Sequence, residues 1–144
     1  MRTHRAFHRD ELVAKALADR KTVCVDLDGT LASYDGWKGS DHIGEPLSGA
    51  VEFTHKLSEF ADVVIYTTRT NTDPKLGNHE GAFELLKAWL DKHGFAYHSI
   101  YQGQGKPLAA AYVDDRAVAC VPQRDGVAAF QCVEWCRRLC KDAK

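Results

Sequence analysis

The chain contains no apolar run approaching the roughly 20 residues that a membrane-spanning helix requires. Its polar start, Met1-Arg2-Thr3-His4-Arg5, leads into no signal-peptide core. A cytoplasmic protein with no membrane partner is expected. Cysteine is sparse, with 5 residues, an odd number without a C-x-x-C pair. Net charge is missing too, since 19 Lys and Arg stand against 20 Asp and Glu. The resulting −1 argues against a surface built to grip nucleic acid, a local basic patch apart. There is no linker, internal repeat or low-complexity segment. The 144 residues therefore make one domain, large enough for a real core and too small for two ordinary ones.

What is present is the balance of a soluble globular protein, with 44% hydrophobic and 27% charged residues. The most informative stretch is Thr22-Val23-Cys24-Val25-Asp26-Leu27-Asp28-Gly29-Thr30. Val23, Cys24 and Val25 lack polar alternation, which predicts a strand buried on both faces, as in a parallel sheet covered by helices. Asp26 and Asp28 follow at its carboxyl end, the edge where open α/β sheets bind ligands. Alternate strand residues point the same way, so both carboxylates can address one point, and Gly29 lets the chain turn sharply. Paired carboxylates of this kind can divide labour between nucleophile or metal ligand and general acid-base. Acids after a strand also cap turns and helices, so a bare D-x-D is ambiguous. A calcium loop fails on spacing, because Leu31 and Trp37 stand where such a loop needs Gly and Glu.

Helical spacing predicts a first helix over about residues 9–20, capped by Asp10 and carrying Leu12, Val13, Ala16 and Leu17. Residues 31–47 hold Gly36, Gly39, Gly44 and Pro46 without a period and read as a flap beside the site. A helix is expected over about 48–60, with Val51, Thr54, Leu57 and Ser58 on one face, followed by a buried strand at 63–66. Beyond the polar loop at 70–78, Phe83, Leu86, Trp89 and Leu90 mark an amphipathic helix stopped by Gly94. Strands are expected at 96–100, at Tyr112-Val113 and, shorter, at 118–121. Pro107 suits the first turn of a short helix reaching Ala111. A last amphipathic helix over about 126–140 places Cys132, Cys136 and Cys140 on a stripe with Val133 and Leu139, read as core thiols rather than a soft-metal site. This alternation indicates a three-layer α/β/α sandwich around a Rossmann-like parallel sheet.

Parallel strands share a carboxyl edge. The expected strands bring Asp26 and Asp28, then Thr67, then Asp114 and Asp115 to that edge, with Lys106 just before the last pair. Four carboxylates crowded there repel one another unless a cation sits between them, and an all-oxygen set suits magnesium. Thr67 and Lys106 can hold an anion beside it, as phosphoryl transfer requires. Singly, each has an ordinary reading as turn hydroxyl, surface charge or helix cap; together and in this order they point to a site.

In these residues the chain resembles the haloacid dehalogenase-like phosphohydrolases, over about residues 22–121. Asp26-Leu27-Asp28-Gly29-Thr30 is similar to that superfamily's first motif, Thr67 to the second, Lys106 to the third and Asp114-Asp115 to the fourth. The second acid, Asp28, points to phosphate chemistry rather than dehalogenation. Gly44-Glu45-Pro46, Thr67-Thr68-Arg69 and Lys106-Pro107 before Asp114-Asp115-Arg116 resemble a group of small bacterial members. The resemblance implies that Asp26 attacks phosphorus to form an aspartyl-phosphate, while Asp28 protonates the leaving oxygen and later activates water. It gives Mg2+ to Asp26, the backbone carbonyl of Asp28 and Asp114, with Asp115 in support, orienting metal-bound water or Lys106. Thr67 and Lys106 are implied to bind phosphoryl oxygens. Neither interval between motifs leaves room for a folded cap, so the site is expected to be open, closed at most by the 31–47 flap or a second copy of the chain. Trp37, Tyr34, His42, Arg69, His79 and Arg116 are candidate contacts for the leaving group. The expected function is a magnesium-dependent phosphatase, or less readily a phosphotransferase, acting on a phosphorylated small molecule in preference to a polymer. Two alternatives stand beside it: a non-catalytic module that binds magnesium or phosphate, and a nucleotide or nucleic-acid-end phosphatase.

Overall fold

The computed structural model describes residues 20–73, 75, 80–118, 133 and 136–141. Strand β1 (Lys21–Val25) is followed by helix α1 (Ala50–Ser58), strand β2 (Ala61–Ile65), a 3-10 turn (Thr68–Thr70), helix α2 (Ala82–His93) and strands β3 (Ser99–Ile100) and β4 (Ala111–Val113). The strands form one parallel sheet in the order β3-β2-β1-β4. The fold is thus α/β with a Rossmann-like sheet, and no helix of the described residues is long and apolar enough to cross a membrane.

The sequence pattern explains the layering. Val23, Cys24 and Val25 are all buried in β1, which lies between β2 and β4. In β2 the alternation is clean, with Ala61, Val63 and Ile65 buried and the residues between them half-buried. Those buried residues join Val23, Val25, Leu57 of α1 and Leu86 and Leu90 of α2 in one core. Both helices therefore cover the same face of the sheet, as two successive right-handed crossovers in one direction demand. The first helix expected at 9–20 lies outside the described residues, as do most of the last helix and residues 119–121 of the expected fifth strand; residues 136–141 are helical.

Several expectations need correction. No short helix follows Pro107: the Ala110 amide donates to the Thr22 carbonyl at 2.8 Å, and Ala111 already pairs with Val23. Sheet pairing with β1 thus overrides the local preference of proline for a helix start. Strand β3 is shorter than 96–100, because the Ala96 amide is taken by the Thr54 hydroxyl at 3.1 Å instead of a neighbouring strand. Cys136 and Cys140 are exposed, as are Val133 and Leu139, so these described residues do not form the buried stripe that their spacing suggested. Gly94 does end α2, at φ 75°, the left-handed conformation that glycine adopts without penalty.

Thr54 is a tie between elements. Its hydroxyl is fully buried, donates to the Val51 carbonyl at 2.8 Å and accepts from Ala96. Thr54→Val keeps the shape and leaves the Ala96 amide without its acceptor, so it is expected to cost about 1–3 kcal/mol. Urea denaturation measures this, and an unchanged midpoint would contradict the assigned role.

Candidate active site

Strand order reverses at β1: the chain runs outward from β1 to β2 and β3, then returns to place β4 on the other side. Ligand crevices in open α/β sheets form outside the carboxyl ends of the two strands at such a switch point. Here those ends carry Asp26 and Asp114. Val25 pairs with Val113, and the Asp26 amide donates to the Val113 carbonyl at 2.9 Å. The carboxylates of Asp26, Asp114 and Asp115 converge, each offering an oxygen within 4.8 Å of the others.

The loop after β1 is shaped to receive Asp115. Gly29 has φ +87°, and a Cβ there would overlap the Asp115 carboxylate. The Asp115 amide donates to the Thr30 hydroxyl at 3.1 Å, and that hydroxyl donates back to Asp115 Oδ1 at 3.5 Å. The Arg116 amide donates to Asp114 Oδ1 at 2.8 Å. Gly29 and Thr30 thus shape the place of Asp115 as well as the turn after Asp26, a role visible only once β1 and β4 are paired.

Asp28 does not join the three acids with its side chain. Both of its oxygens are held by the guanidinium of Arg69, Nε to Oδ2 at 2.7 Å and Nη2 to Oδ1 at 2.8 Å. Arg69, expected as a leaving-group contact, is only 3% exposed. It also donates to the His42 carbonyl at 2.9 Å and lies 4.9 Å from the centroid of the Trp37 ring. Thr67, at the end of β2, is buried, and its hydroxyl accepts from the Arg69 amide at 3.3 Å. Lys106, which the resemblance has oriented by Asp115, makes no ion pair with an acid among the described residues. Its ammonium lies 4.5 Å from the centroid of the Tyr112 ring, while the Tyr112 hydroxyl donates to the Pro107 carbonyl. Arg116 lies 6.0 Å from the Tyr34 ring. His79 is outside the described residues.

The 31–47 flap is irregular, as its composition suggests, yet its base is fixed. Leu47 donates to Leu31 and Ser33 to Glu45, each at 2.8 Å, around an antiparallel bridge of Ala32 with Pro46. The flap encloses a hollow of about 440 Å³ lined by Tyr34, Asp35, Lys38, His42 and Glu45 among others. A larger hollow of about 680 Å³ lies at the amino edge of the sheet, beside Arg20, Asp62 and His98. There Arg20 is already committed to Asp62 and to the Ser58 and Ala61 carbonyls. Between Thr30 and β2 lie only the flap and α1, and the described residues between Thr67 and Lys106 hold only the 3-10 turn, α2 and β3.

No protein-family model matches the chain, and no curated protein does. Among solved structures it is similar to a conserved protein of Bacteroides thetaiotaomicron, with 22% identity over 88% of this chain and 93% of that one, at TM-score 0.49. It is also similar to a protein of Vibrio cholerae, with 27% identity over 79% of this chain and 97% of that one, at TM-score 0.46.

The electrostatics of the edge follow from crowding. Burial, then the neighbouring charges of Asp114 and Asp115, push the Asp26 carboxyl up from 3.8 to about 7, with the Leu27 amide pulling the other way. Three hard oxygen donors that keep a carboxyl protonated near neutrality match the needs of a hard divalent cation. In metal-free protein the folded state binds the Asp26 proton more tightly than the unfolded chain does. Stability from this group is therefore complete below about pH 3.8 and declines as pH rises through about 7. Asp26→Asn should remove that decline and stabilise the chelator-treated protein at pH ~8 by at most about 4 kcal/mol, less because water still reaches the carboxylate. Urea unfolding of both proteins across this range checks the sign; a parent that grows more stable from acid to neutral pH while the variant does not would contradict it.

Proposed function

We propose that the chain is a magnesium-dependent phosphohydrolase that works through a phosphorylated Asp26. The observation that carries this is the convergence of Asp26, Asp114 and Asp115 at the switch point of a parallel sheet. The order of Asp26, Asp28, Thr67, Lys106 and Asp114-Asp115 along the chain adds to it. Asp26, Asp114 and Asp115 would hold the cation, which would neutralise their charge and that of the phosphoryl group.

An oxygen of Asp26 attacks phosphorus, the bond to the ester oxygen breaks, and Asp28, once one of its oxygens has left Arg69 and taken a proton from solvent, gives that proton to the ester oxygen. Water then attacks the same phosphorus and yields a proton to Asp28. The acyl-phosphate bond breaks, releasing inorganic phosphate and restoring the Asp26 carboxylate. Thr67 and Lys106 take phosphoryl oxygens; for Lys106 this requires its ammonium to leave the Tyr112 ring. A cation-binding module without turnover uses the same three acids, and the engagement of Asp28 with Arg69 favours that second reading.

Hydrolysis of p-nitrophenyl phosphate with and without magnesium separates the two. Turnover should require the metal, and Asp26→Asn should lower kcat by about 10⁴-fold or more while abolishing acid-stable covalent phosphate. Asp114→Ala should abolish magnesium binding in calorimetry and leave the fold intact, because Asp114 is exposed. Magnesium binding without any turnover, across a panel of phosphorylated metabolites, would leave the binding module as the function.

A further inference from the structure

Arg69 stands at the meeting of two parts of the molecule that the sequence separates. On one side its guanidinium grips both oxygens of Asp28, which is itself largely shielded, with its side chain 16% exposed. On the other it reaches the flap, through the His42 carbonyl and the Trp37 ring. Its own backbone is fixed by the Thr67 hydroxyl in the 3-10 turn after β2. The flap base is secured by backbone hydrogen bonds at residues 31–33 and 45–47. Beyond that base, Ile43 packs on the core, and Arg69 and Arg116 meet the flap residues between.

Resting on the phosphohydrolase reading above, we propose that Arg69 is a positioning residue that aims the Asp28 carboxylate and couples its orientation to the seating of the 31–47 flap. A guanidinium is planar, and the fork of Nε and Nη2 fixes a carboxylate in both distance and plane, which a lysine cannot do. The same Nη2 that holds Asp28 Oδ1 holds the His42 carbonyl, so displacement of the flap tip pulls on the bond that orients the acid. The remaining nitrogen, Nη1, is buried with no hydrogen-bond partner. An unsatisfied donor in that position disfavours the seated flap, so the flap is held by specific contacts against a local cost rather than by a satisfied core. Movement of the flap tip on substrate entry draws Nη2 off Asp28 Oδ1, while Nε on Oδ2 keeps the carboxylate aimed and Oδ1 becomes free to carry the proton.

Leaving-group dependence tests the aiming of Asp28. An alkyl phosphate needs a proton on its departing oxygen, whereas 2,4-dinitrophenyl phosphate departs without one. Arg69→Lys keeps the charge and loses the fork, so it should lower kcat on the alkyl ester by at least about 100-fold, with a loss no larger than about tenfold on the dinitrophenyl ester. Equal losses on both esters, or no loss on either, would overturn the proposal. Hydrogen exchange tests the coupling without any turnover. In both Arg69→Lys and Asp28→Asn, amides of residues 34–44 should exchange at least about tenfold faster, while those of β1 and β2 keep their protection. Unchanged flap exchange in Asp28→Asn would overturn the coupling even if the enzyme were active. A parent inactive on both esters would instead refute the phosphohydrolase reading, with flap exchange still deciding whether Arg69 links flap and acid.

Discussion

The hydrogen bond from the Asp26 amide to the Val113 carbonyl, 2.9 Å long, extends the β1–β4 ladder by one step beyond the named strands. Everything chemical about the molecule depends on that step. It sets Asp26 beside Asp114 at the place where strand order reverses, and it brings Asp115 onto the loop formed by Gly29 and Thr30. A shift of register by one residue would turn every side chain of β4 to the opposite face, and the three carboxylates would no longer meet. The fold therefore spends a backbone contact, which carries no chemistry of its own, on holding together groups that repel.

The cations near this edge are arranged in an unexpected way. Arg69 is taken by Asp28 and Lys106 rests on Tyr112, so two positive charges that could have offset the cluster are engaged elsewhere. The high proton affinity of Asp26 has burial as its largest cause and the charge of Asp114 next. An edge that concentrates negative charge while its neighbouring cations are occupied is suited to a ligand that brings positive charge with it. The two acids of the D-x-D motif have accordingly been separated in kind. Asp26 belongs to an acidic cluster, Asp28 to an ion pair, although they are two residues apart in one turn.

What the sequence made legible, and what it did not, follows the range of the interactions. The apolar run before Asp26, the faces of α1 and α2 and the stop at Gly94 rest on local periodicity, and each is where its pattern places it. The acids at the ends of β1 and β4 were legible because parallel strands share an edge by construction. The partner of Asp28 was not: Arg69 is 41 positions away, and nothing in Thr67-Thr68-Arg69 says that the arginine turns inward. The helix expected after Pro107 failed for the same reason. Proline favours a helix start over a few residues, but pairing of Ala111 with Val23 is set by a strand far back in the chain. Thr54 shortened β3 by offering the Ala96 amide a side-chain acceptor, a contact spanning 42 positions that no window on the sequence contains.

Two glycines tie the acidic edge to the flap, and their roles differ. Gly29 is required twice over, by its positive φ and by the Asp115 carboxylate occupying the space a Cβ would take. Gly44 has no such backbone need; a Cβ there would overlap the Ser33 carbonyl, so its constraint is close approach alone. One glycine lets Asp115 pack onto the turn after Asp26, and the other lets the two limbs of the flap base lie against each other. Between them runs a continuous stretch from Asp26 to Leu47 in which Leu27, Leu31 and Ala32 are fully buried. The nucleophile candidate, the acid candidate and the flap base are thus carried on one segment anchored in the core. The flap tip beyond Ser33 is then the part of this segment left to respond to a ligand, and Arg69 is the side chain through which that response reaches Asp28.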